Sequence, residues 1–258
     1  MILDDILAEK RRTVARAKEE RPLSVVEGEA LAADTPRGFA ASLRAGDIAC
    51  IAEFKRRSPS AGWIREQADP AEIAAAYEGA GAAALSVLTD GPFFGGDLAD
   101  LRRAREAVRL PVLRKDFMVD AYQVPEARAA GADAILLIVS ALTDDELASL
   151  LDAADRWRLD VLCEAHDAAE VDRAVAVGAR IVGVNHRDLR TFQMDMSLTE
   201  RLRDRIPADR LVVAESGIRT AEDVQRMRNV GVNAILVGEN LMRGEDPAAA
   251  LRALLLRP

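Results

Sequence analysis

The chain has 258 residues, half of them hydrophobic, and a formal net charge of −8. This length suits a single α/β barrel with a large core, and the acidic balance disfavours nucleic acid as a partner. The sequence has no apolar run long enough to span a membrane, and Asp4 and Asp5 stand where a signal peptide would carry basic residues, so we expect a cytoplasmic protein with no nucleic-acid or membrane partner.

The first 45 residues predict a helical appendage. Apolar residues at helical spacing predict a helix over residues 2–20, and shorter helices follow near 25–32 and 39–43. These segments are too short to form a convincing core of their own. We therefore divide the chain into an N-terminal helical extension, residues 1–45, packed on a catalytic barrel domain, residues 46–258.

From residue 48 onward, short apolar strands alternate with helical patterns. The predicted strands lie near 48–54, 83–89, 111–115, 134–139, 159–164, 181–185, 211–215 and 234–238. The predicted helices lie near 70–79, 98–107, 121–130, 144–157, 168–177, 198–205, 221–229 and 246–256. Eight such units predict a (β/α)8 TIM barrel. The alternative, an open doubly wound sheet, needs a G-x-G-x-x-G loop after its first strand, and the sequence has none there.

Lysine is rare in this chain and unevenly placed. Among 35 basic residues only four are lysine: Lys10 and Lys18 in the N-terminal helix, and Lys55 and Lys115 at strand ends. The surroundings of a lysine can shift its pKa enough for proton exchange, whereas arginine stays charged. Two lysines at matching strand ends therefore indicate a function.

Polar residues follow the strands at their carboxyl ends, which meet at one mouth of a barrel. The candidates for catalysis are Glu53, Lys55, Lys115, Glu164, Asn185 and Glu215, with Ser86, Thr89 and Asp116 beside them. Carboxylates and ammonium groups gathered in one pocket shift each other's pKa values. A ring of structural salt bridges is the alternative, but it would place polar residues equally at the amino ends of the strands, where the sequence has ordinary turns.

The turns after the last two strands predict a phosphate site. Loops at these places present backbone N–H groups to an anion in many barrels, and glycine lets the backbone come close. The candidate residues are Ser216, Gly217, Gly238 and Glu239, with Ser58 and Arg187 for a further contact.

The glycine-rich segment 90–97 carries Phe93 and Phe94. These rings either cover an aromatic ligand or anchor the loop on the barrel rim. Trp63, after the first strand, could play either of the same two roles. His186 follows Asn185 on a strand and should point away from the mouth. Both cysteines lie in apolar runs, and two histidines are too few for a histidine-based metal site, so we expect no metal.

Together these motifs resemble the indole-3-glycerol phosphate synthase family. The signature Ile51-Ala52-Glu53-Phe54-Lys55-Arg56-Arg57-Ser58-Pro59-Ser60 is followed, in the family's order, by Leu113-Arg114-Lys115-Asp116-Phe117, Gly183-Val184-Asn185, Arg187-Asp188-Leu189, Glu215-Ser216-Gly217-Ile218 and Val237-Gly238-Glu239. Two positions depart from the pattern. His186 stands where the family commonly has a second asparagine, and Glu239 stands where a serine is also familiar.

The resemblance implies a lyase of tryptophan biosynthesis, a monomer that needs no cofactor or metal. It would convert 1-(2-carboxyphenylamino)-1-deoxyribulose 5-phosphate, a phosphorylated aromatic compound, into indole-3-glycerol phosphate, releasing carbon dioxide and water. By family analogy Lys115 protonates the ketone oxygen, Lys55 contacts the substrate carboxylate or phosphate, and Glu164 serves the dehydration. Which lysine acts in which step stays open.

The remaining roles also come from the resemblance. Glu53 would orient the lysines, Asn185 would hydrogen-bond the substrate, and Glu215 would support the network. The phosphate would bind mainly to backbone N–H groups, with the Glu239 carboxylate pointing away. The residues implied for substrate binding are Ser58, Phe94, Phe117, Arg187, Ser216, Gly217, Gly238 and Glu239.

Two other functions remain open at this point. A class I aldolase or another Schiff-base enzyme would use Lys115 or Lys55 as a nucleophile on the same barrel. The second alternative is a regulatory barrel that binds a phosphorylated metabolite without turnover. Such a protein would need the binding pocket but not the proton-donating lysines.

Overall fold

The protein forms a closed barrel of eight parallel strands in a computed structural model that describes residues 2–44, 47–189 and 191–256. Adjacent strands pair in chain order, and the last pairs with the first. The strands are β1 (Ala49–Phe54), β2 (Ala84–Leu88), β3 (Val112–Lys115), β4 (Ala134–Ile138), β5 (Asp160–Ala165), β6 (Ile181–Asn185), β7 (Leu211–Glu215) and β8 (Ala234–Val237). The predicted (β/α)8 TIM barrel is confirmed.

Three helices precede the barrel: α1 (Ile2–Glu20), α2 (Leu23–Ala32) and α3 (Phe39–Ser42). The buried face of α1 reaches the carboxyl ends of the strands, while α3 packs at their amino ends, where the Ala40 N–H donates to the Asp160 carboxylate over 2.7 Å. The extension therefore touches both ends of the barrel. The predicted boundary between residues 45 and 46 lies outside the described residues, so this division stays a prediction.

The other helices follow the strands. They are α4 (Pro70–Gly79), α5 (Gly91–Phe94), α6 (Leu98–Ala107), α7 (Gln123–Ala129), α8 (Asp144–Arg156), α9 (Ala168–Ala176), α10 (Leu198–Leu202), α11 (Ala221–Asn229), α12 (Glu239–Arg243) and α13 (Pro247–Leu255). Two of them, α5 and α12, contribute residues to a pocket at the mouth of the barrel. Side chains of Asp69, Thr143 and Thr220 cap α4, α8 and α11 by accepting from backbone N–H groups.

Sequence periodicity did not reveal the shortest elements. Two-residue strands at Arg57–Ser58 and Gly62–Trp63 form a hairpin after β1, and α5 and α12 follow β2 and β8. The sequence patterns indicate turns or loops where the hairpin and α5 lie. Such elements span about one turn or one strand pair, which is too short for a periodic apolar pattern to show.

Two apolar layers hold the barrel together. On β1, Ala49 and Ile51 point inward and pack with residues of the other strands, while Cys50 and Ala52 point outward and pack under the helices. This alternation is the period of two expected of a strand. It decides which residue at the end of each strand faces the mouth.

Candidate active site

The candidate side chains continue the inward-facing series of their strands. On β1 the series runs Ala49, Ile51, Glu53, and on β7 it runs Leu211, Val213, Glu215. The interior is apolar through the middle of the barrel and becomes polar where the strands end. The same spacing of two places Lys55, Lys115, Glu164 and Asn185 at the mouth.

Every residue predicted for catalysis or substrate binding lines one pocket of about 430 Å³ at the carboxyl ends of the strands. These residues are Glu53, Lys55, Lys115, Glu164, Asn185 and Glu215, together with Ser58, Phe94, Phe117, Arg187, Ser216, Gly217, Gly238 and Glu239. Ser86 and Thr89 lie behind the pocket, where their hydroxyl groups donate to Glu53 and Asp116. The structure therefore brings the predicted set together. The individual roles of its members stay predictions.

Several lining residues were not predicted. Leu136, Ile138 and Leu236 form apolar wall, and Ile2, Leu3 and Ile6 from α1 close another side. The alternation of inward- and outward-facing residues along β4 and β8 could have revealed Leu136, Ile138 and Leu236. The family resemblance implies that the N-terminal extension helps cover the mouth, but the individual residues were not named, because a helical stripe does not say which surface it covers.

Lys115 lies at the centre of the charged cluster. Its Nζ is 3.2 Å from Glu164 Oε2 and 3.8 Å from Glu215 Oε2. Burial by itself lowers the pKa of Lys115, but the charges of Glu164, Glu215 and Glu53 outweigh burial and hold that pKa above its ordinary value. Lys115 is therefore a charged ammonium, the form that a general acid requires.

Glu164 and Glu215 are both buried, and their pKa values shift in opposite directions. Burial would raise the pKa of Glu164, but the charges of Lys115 and His166 outweigh it and lower that pKa. Burial and the neighbouring charge of Glu164 raise the pKa of Glu215 well above its ordinary value. Neither carboxylate oxygen of Glu215 meets a hydrogen-bond donor among the described residues. The arrangement favours one ionised and one protonated carboxyl group.

Glycines leave the space that two of the carboxylates occupy. A Cβ on Gly238 would lie 2.3 Å from Glu53 Oε1, and a Cβ on Gly183 would lie 2.2 Å from Glu215 Oε1. In this space Glu53 accepts from Lys55 Nζ over 2.6 Å. Glu53 and Lys55, two residues apart, therefore pair on one side of the strand. Gly238 therefore leaves room for the Glu53 side chain, in addition to its predicted role of letting the backbone approach phosphate.

His166 was not predicted to belong to this network. Its Nε2 lies 3.3 Å from Glu164 Oε1, and its Nδ1 lies 3.0 Å from Glu170 Oε2. Burial would lower the pKa of His166, but these two carboxylates raise it to about 10. A spacing of two from Glu164 was the available signal, since residues i and i+2 of an extended segment point to the same side.

The proposed phosphate edge follows β7 and β8. Ser216 and Gly217 have φ of 67° and 79°, a left-handed turn that suits glycine and is uncommon for serine. Glu239 lines the pocket, and its carboxylate lies 3.4 Å from an Arg187 nitrogen and 3.0 Å from an Arg243 nitrogen. That this carboxylate points away from the phosphate stays a prediction. The two guanidinium groups offset the negative charge that it brings to the edge.

The aromatic residues separate into two groups. Phe94 and Phe117 line the pocket, with ring centroids 5.9 Å apart. Trp63 is half exposed and packs beside Arg57 instead, 5.6 Å from ring centroid to guanidinium carbon. Phe94 thus reaches the pocket, whereas Trp63 anchors the loop.

His186 points away from the pocket, as expected from its place beside Asn185. It is buried, and its ring nitrogens bond to the Ser216 carbonyl oxygen and the Thr199 hydroxyl at 2.9 and 2.7 Å. Cys50 and Cys163 are buried in the apolar layer around the strands. Among the described residues, no group of three or more His, Cys, Asp or Glu side chains could hold a metal ion, and no helix is long and apolar enough to cross a membrane.

Comparisons with known proteins agree on one family. The family model described as indole-3-glycerol phosphate synthase matches residues 3–254. Proteins named indole-3-glycerol phosphate synthase from Azospirillum brasilense and Leptothrix cholodnii are each 51% identical, over 98% of this chain and 98% of their own. The tryptophan synthase alpha-subunit from Pyrococcus furiosus superposes with a TM-score of 0.62 at 15% identity, covering 81% of this chain and 98% of that chain. That last likeness concerns the fold alone.

Proposed function

The chain belongs to the indole-3-glycerol phosphate synthase family, and we propose that the pocket at the barrel mouth is where it closes the indole ring. The reaction is a lyase reaction of tryptophan biosynthesis. It converts 1-(2-carboxyphenylamino)-1-deoxyribulose 5-phosphate into indole-3-glycerol phosphate, carbon dioxide and water. The observation that carries the assignment of the site is the charged Lys115 between Glu164 and Glu215, inside a pocket with an aromatic side and a glycine-rich edge.

Lys115 acts in the first step. The aromatic carbon that bears the carboxylate attacks the ketone carbon, and the electron pair of the C=O bond moves to oxygen. That oxygen takes a proton from the Lys115 ammonium, which is held charged by its carboxylate neighbours. The bond to the carboxylate then breaks, its electron pair returns to the ring, and carbon dioxide leaves.

Glu164 acts in the dehydration. The hydroxyl group leaves as water with a proton from the Lys55 ammonium, and Glu164 removes the proton from the adjacent ring carbon. One proton is given and one is taken, so this step is balanced. The lowered pKa of Glu164 keeps this group ionised, which is the form that a base requires, and the raised pKa of Glu215 disfavours a second negative charge in the pocket. Glu53, 2.6 Å from Lys55, orients that lysine.

The rest of the pocket binds and orients the substrate. Phe94 and Phe117 contact the aryl ring, and Asn185 hydrogen-bonds the hydroxyl groups. Backbone N–H groups after β7 and β8 bind the phosphate, with Ser58 and Arg187 at the same end. Holding the reacting carbon atoms close together supplies much of the rate that such a reaction needs.

The charge of Lys115 disfavours the Schiff-base alternative. A lysine that attacks a carbonyl group must be neutral, and enzymes achieve this by lowering its pKa. Here the carboxylates raise the pKa of Lys115, and Lys55 is paired with Glu53. Borohydride treatment in the presence of the keto-phosphate substrate should therefore leave no covalent adduct.

We also propose that the protein works in the cytoplasm as a monomer and binds neither nucleic acid nor membranes. Every residue that we propose for catalysis is contributed by this chain. Light scattering during gel filtration measures the oligomeric state. A stable dimer whose dissociation abolishes turnover would contradict the monomer.

The direct assay mixes purified protein with the anilino-deoxyribulose phosphate and follows indole fluorescence. Wild-type protein should produce the fluorescent product, and Lys115→Ala and Glu164→Ala should not. Lys18→Ala is the matched control, because Lys18 is an exposed lysine on α1 far from the pocket lining. No product from the wild-type protein at micromolar concentration would refute the proposed function. Ligand binding with no turnover would favour a binding barrel instead.

A further inference from the structure

Lys10 is a buried lysine on the apolar face of α1. The buried residues of this helix are Leu3, Ile6, Leu7, Lys10 and Val14. An ammonium in such a stripe is costly to bury unless it is paired. Ile6, one turn earlier on the same face, lines the pocket. The position of Lys10 therefore calls for a partner close to the barrel mouth.

Lys10 has two partners, and both are buried. Its Nζ lies 2.9 Å from Asp90 Oδ1 and 2.7 Å from Asp116 Oδ1, and the side chains of these aspartates are 3% and 1% exposed. Burial alone would lower the pKa of Lys10, but the two carboxylates outweigh burial and raise it. A single ammonium thus joins α1 to the loops after β2 and β3.

Each aspartate holds the backbone beside one aromatic residue of the pocket. Asp90 caps α5 by accepting from the Phe93 N–H over 3.0 Å, and α5 ends at Phe94. Asp116 accepts from the Phe117 N–H over 2.8 Å. The two rings, Phe94 and Phe117, are named here the aromatic clamp. The two aspartates that hold the backbone beside these rings both pair with Lys10.

We propose that Lys10 is a positioning residue for the aromatic clamp: its ammonium holds the loops after β2 and β3 at the separation that admits the aryl ring of the substrate. This inference rests on the proposed assignment of the pocket as the substrate site. Without the ammonium, Asp90 and Asp116 are two buried carboxylates with like charge, and Asp116 keeps the guanidinium of Arg114, whose nitrogen lies 3.2 Å from Asp116 Oδ2. They move apart or take up water, and the rings move with them.

The test compares Lys10→Met with Lys18→Met on the same helix. Lys18 pairs with Asp120 at the surface, so its loss removes a lysine and an ion pair without touching the clamp. Two probes are used: the substrate analogue whose ketone is reduced to an alcohol, and inorganic phosphate. Lys10→Met should weaken analogue binding and kcat/KM by about 10- to 100-fold, since a 1 Å misplacement costs about that much. Phosphate affinity should stay within about twofold, and Lys18→Met should resemble wild type.

A second variant separates positioning from stability. Lys10→Met/Asp90→Asn removes one negative charge with the ammonium, and asparagine still caps α5. Its melting temperature should recover relative to Lys10→Met, while analogue affinity and kcat/KM stay low because α1 is still unlinked from the clamp. Recovery of kcat/KM along with the melting temperature would overturn the proposal, as would wild-type analogue affinity in Lys10→Met. Wild-type protein that neither binds the analogue nor turns over substrate would instead refute the proposed function.

Discussion

Replacing Gly183 by alanine should displace the Glu215 carboxylate and slow turnover. A Cβ at this position would lie 2.2 Å from Glu215 Oε1 and 3.1 Å from Leu162 Cδ1, and Cβ atoms essentially never approach a neighbour within 3.0 Å. The carboxylate must therefore retreat by about 1 Å. Gly183 lies within β6 without a positive φ, so alanine adopts its backbone conformation and the effect comes from the side chain.

The expected magnitude follows from that displacement. A 1 Å misplacement in an active site costs about 10²-fold in rate, or about 2.7 kcal/mol of activation free energy. Overpacking should also lower the free energy of unfolding by about 1–3 kcal/mol. Indole fluorescence gives kcat/KM, and urea titration gives the stability. Gly28→Ala in α2 is the matched control, because no atom lies within 4 Å of its new Cβ; it should leave kcat/KM unchanged and stabilise the helix by about 0.5–1 kcal/mol.

A double-mutant cycle shows whether the clash acts through Glu215. If it does, adding Gly183→Ala to Glu215→Ala should change kcat/KM by less than about threefold, because the group that it displaces is already gone. Full additivity of the two losses, or wild-type kcat/KM in Gly183→Ala, would refute the reasoning. Full additivity would mean that the clash acts through a group other than Glu215, and wild-type kcat/KM in Gly183→Ala would mean that the position of the Glu215 carboxylate does not matter for turnover.

Three other substitutions test separate parts of the structure. Lys115→Arg keeps the charge but provides a poor proton donor, so kcat should fall by about 10²- to 10⁴-fold. A near-normal kcat would show that Lys115 acts only through its charge and donates no proton. His166→Gln should lower the free energy of unfolding more at pH 6 than at pH 10. Folding raises the pKa of His166 to about 10, so the stabilisation by its charged ring is complete below pH 6.5 and is lost as the pH rises through 10. Equal losses of this free energy at the two pH values, measured by urea titration, would contradict the prediction. Thr143→Ala breaks the capping box of α8 and should cost about 1 kcal/mol without changing kcat/KM; unchanged stability would show that the cap is dispensable.

The order of the elements could be predicted from the sequence because it depends on local periodicity. A period of two along β1 places Glu53 in line with Ala49 and Ile51, and the turn residues mark where each strand stops. Parallel strands in a closed barrel then bring their carboxyl ends together. These two rules were sufficient to place the predicted residues around one pocket.

Side-chain pairing could not be predicted in the same way. Arg187 and Arg243 pair with the Glu239 carboxylate. His166 pairs with Glu164 and Glu170. Of these partners only Arg187 is distant in sequence from the group that it contacts. Residue type and spacing did not indicate which of these groups would pair.

The sequence by itself determined the barrel, the residues that face its mouth and the family resemblance, because these depend on spacing along the chain. The tertiary structure decided the protonation of Lys115, Glu164 and Glu215 and the partners of Lys10. Each of those properties is set by burial and by charges a few ångströms away, on segments that are distant in sequence. Only the folded chain brings those segments together.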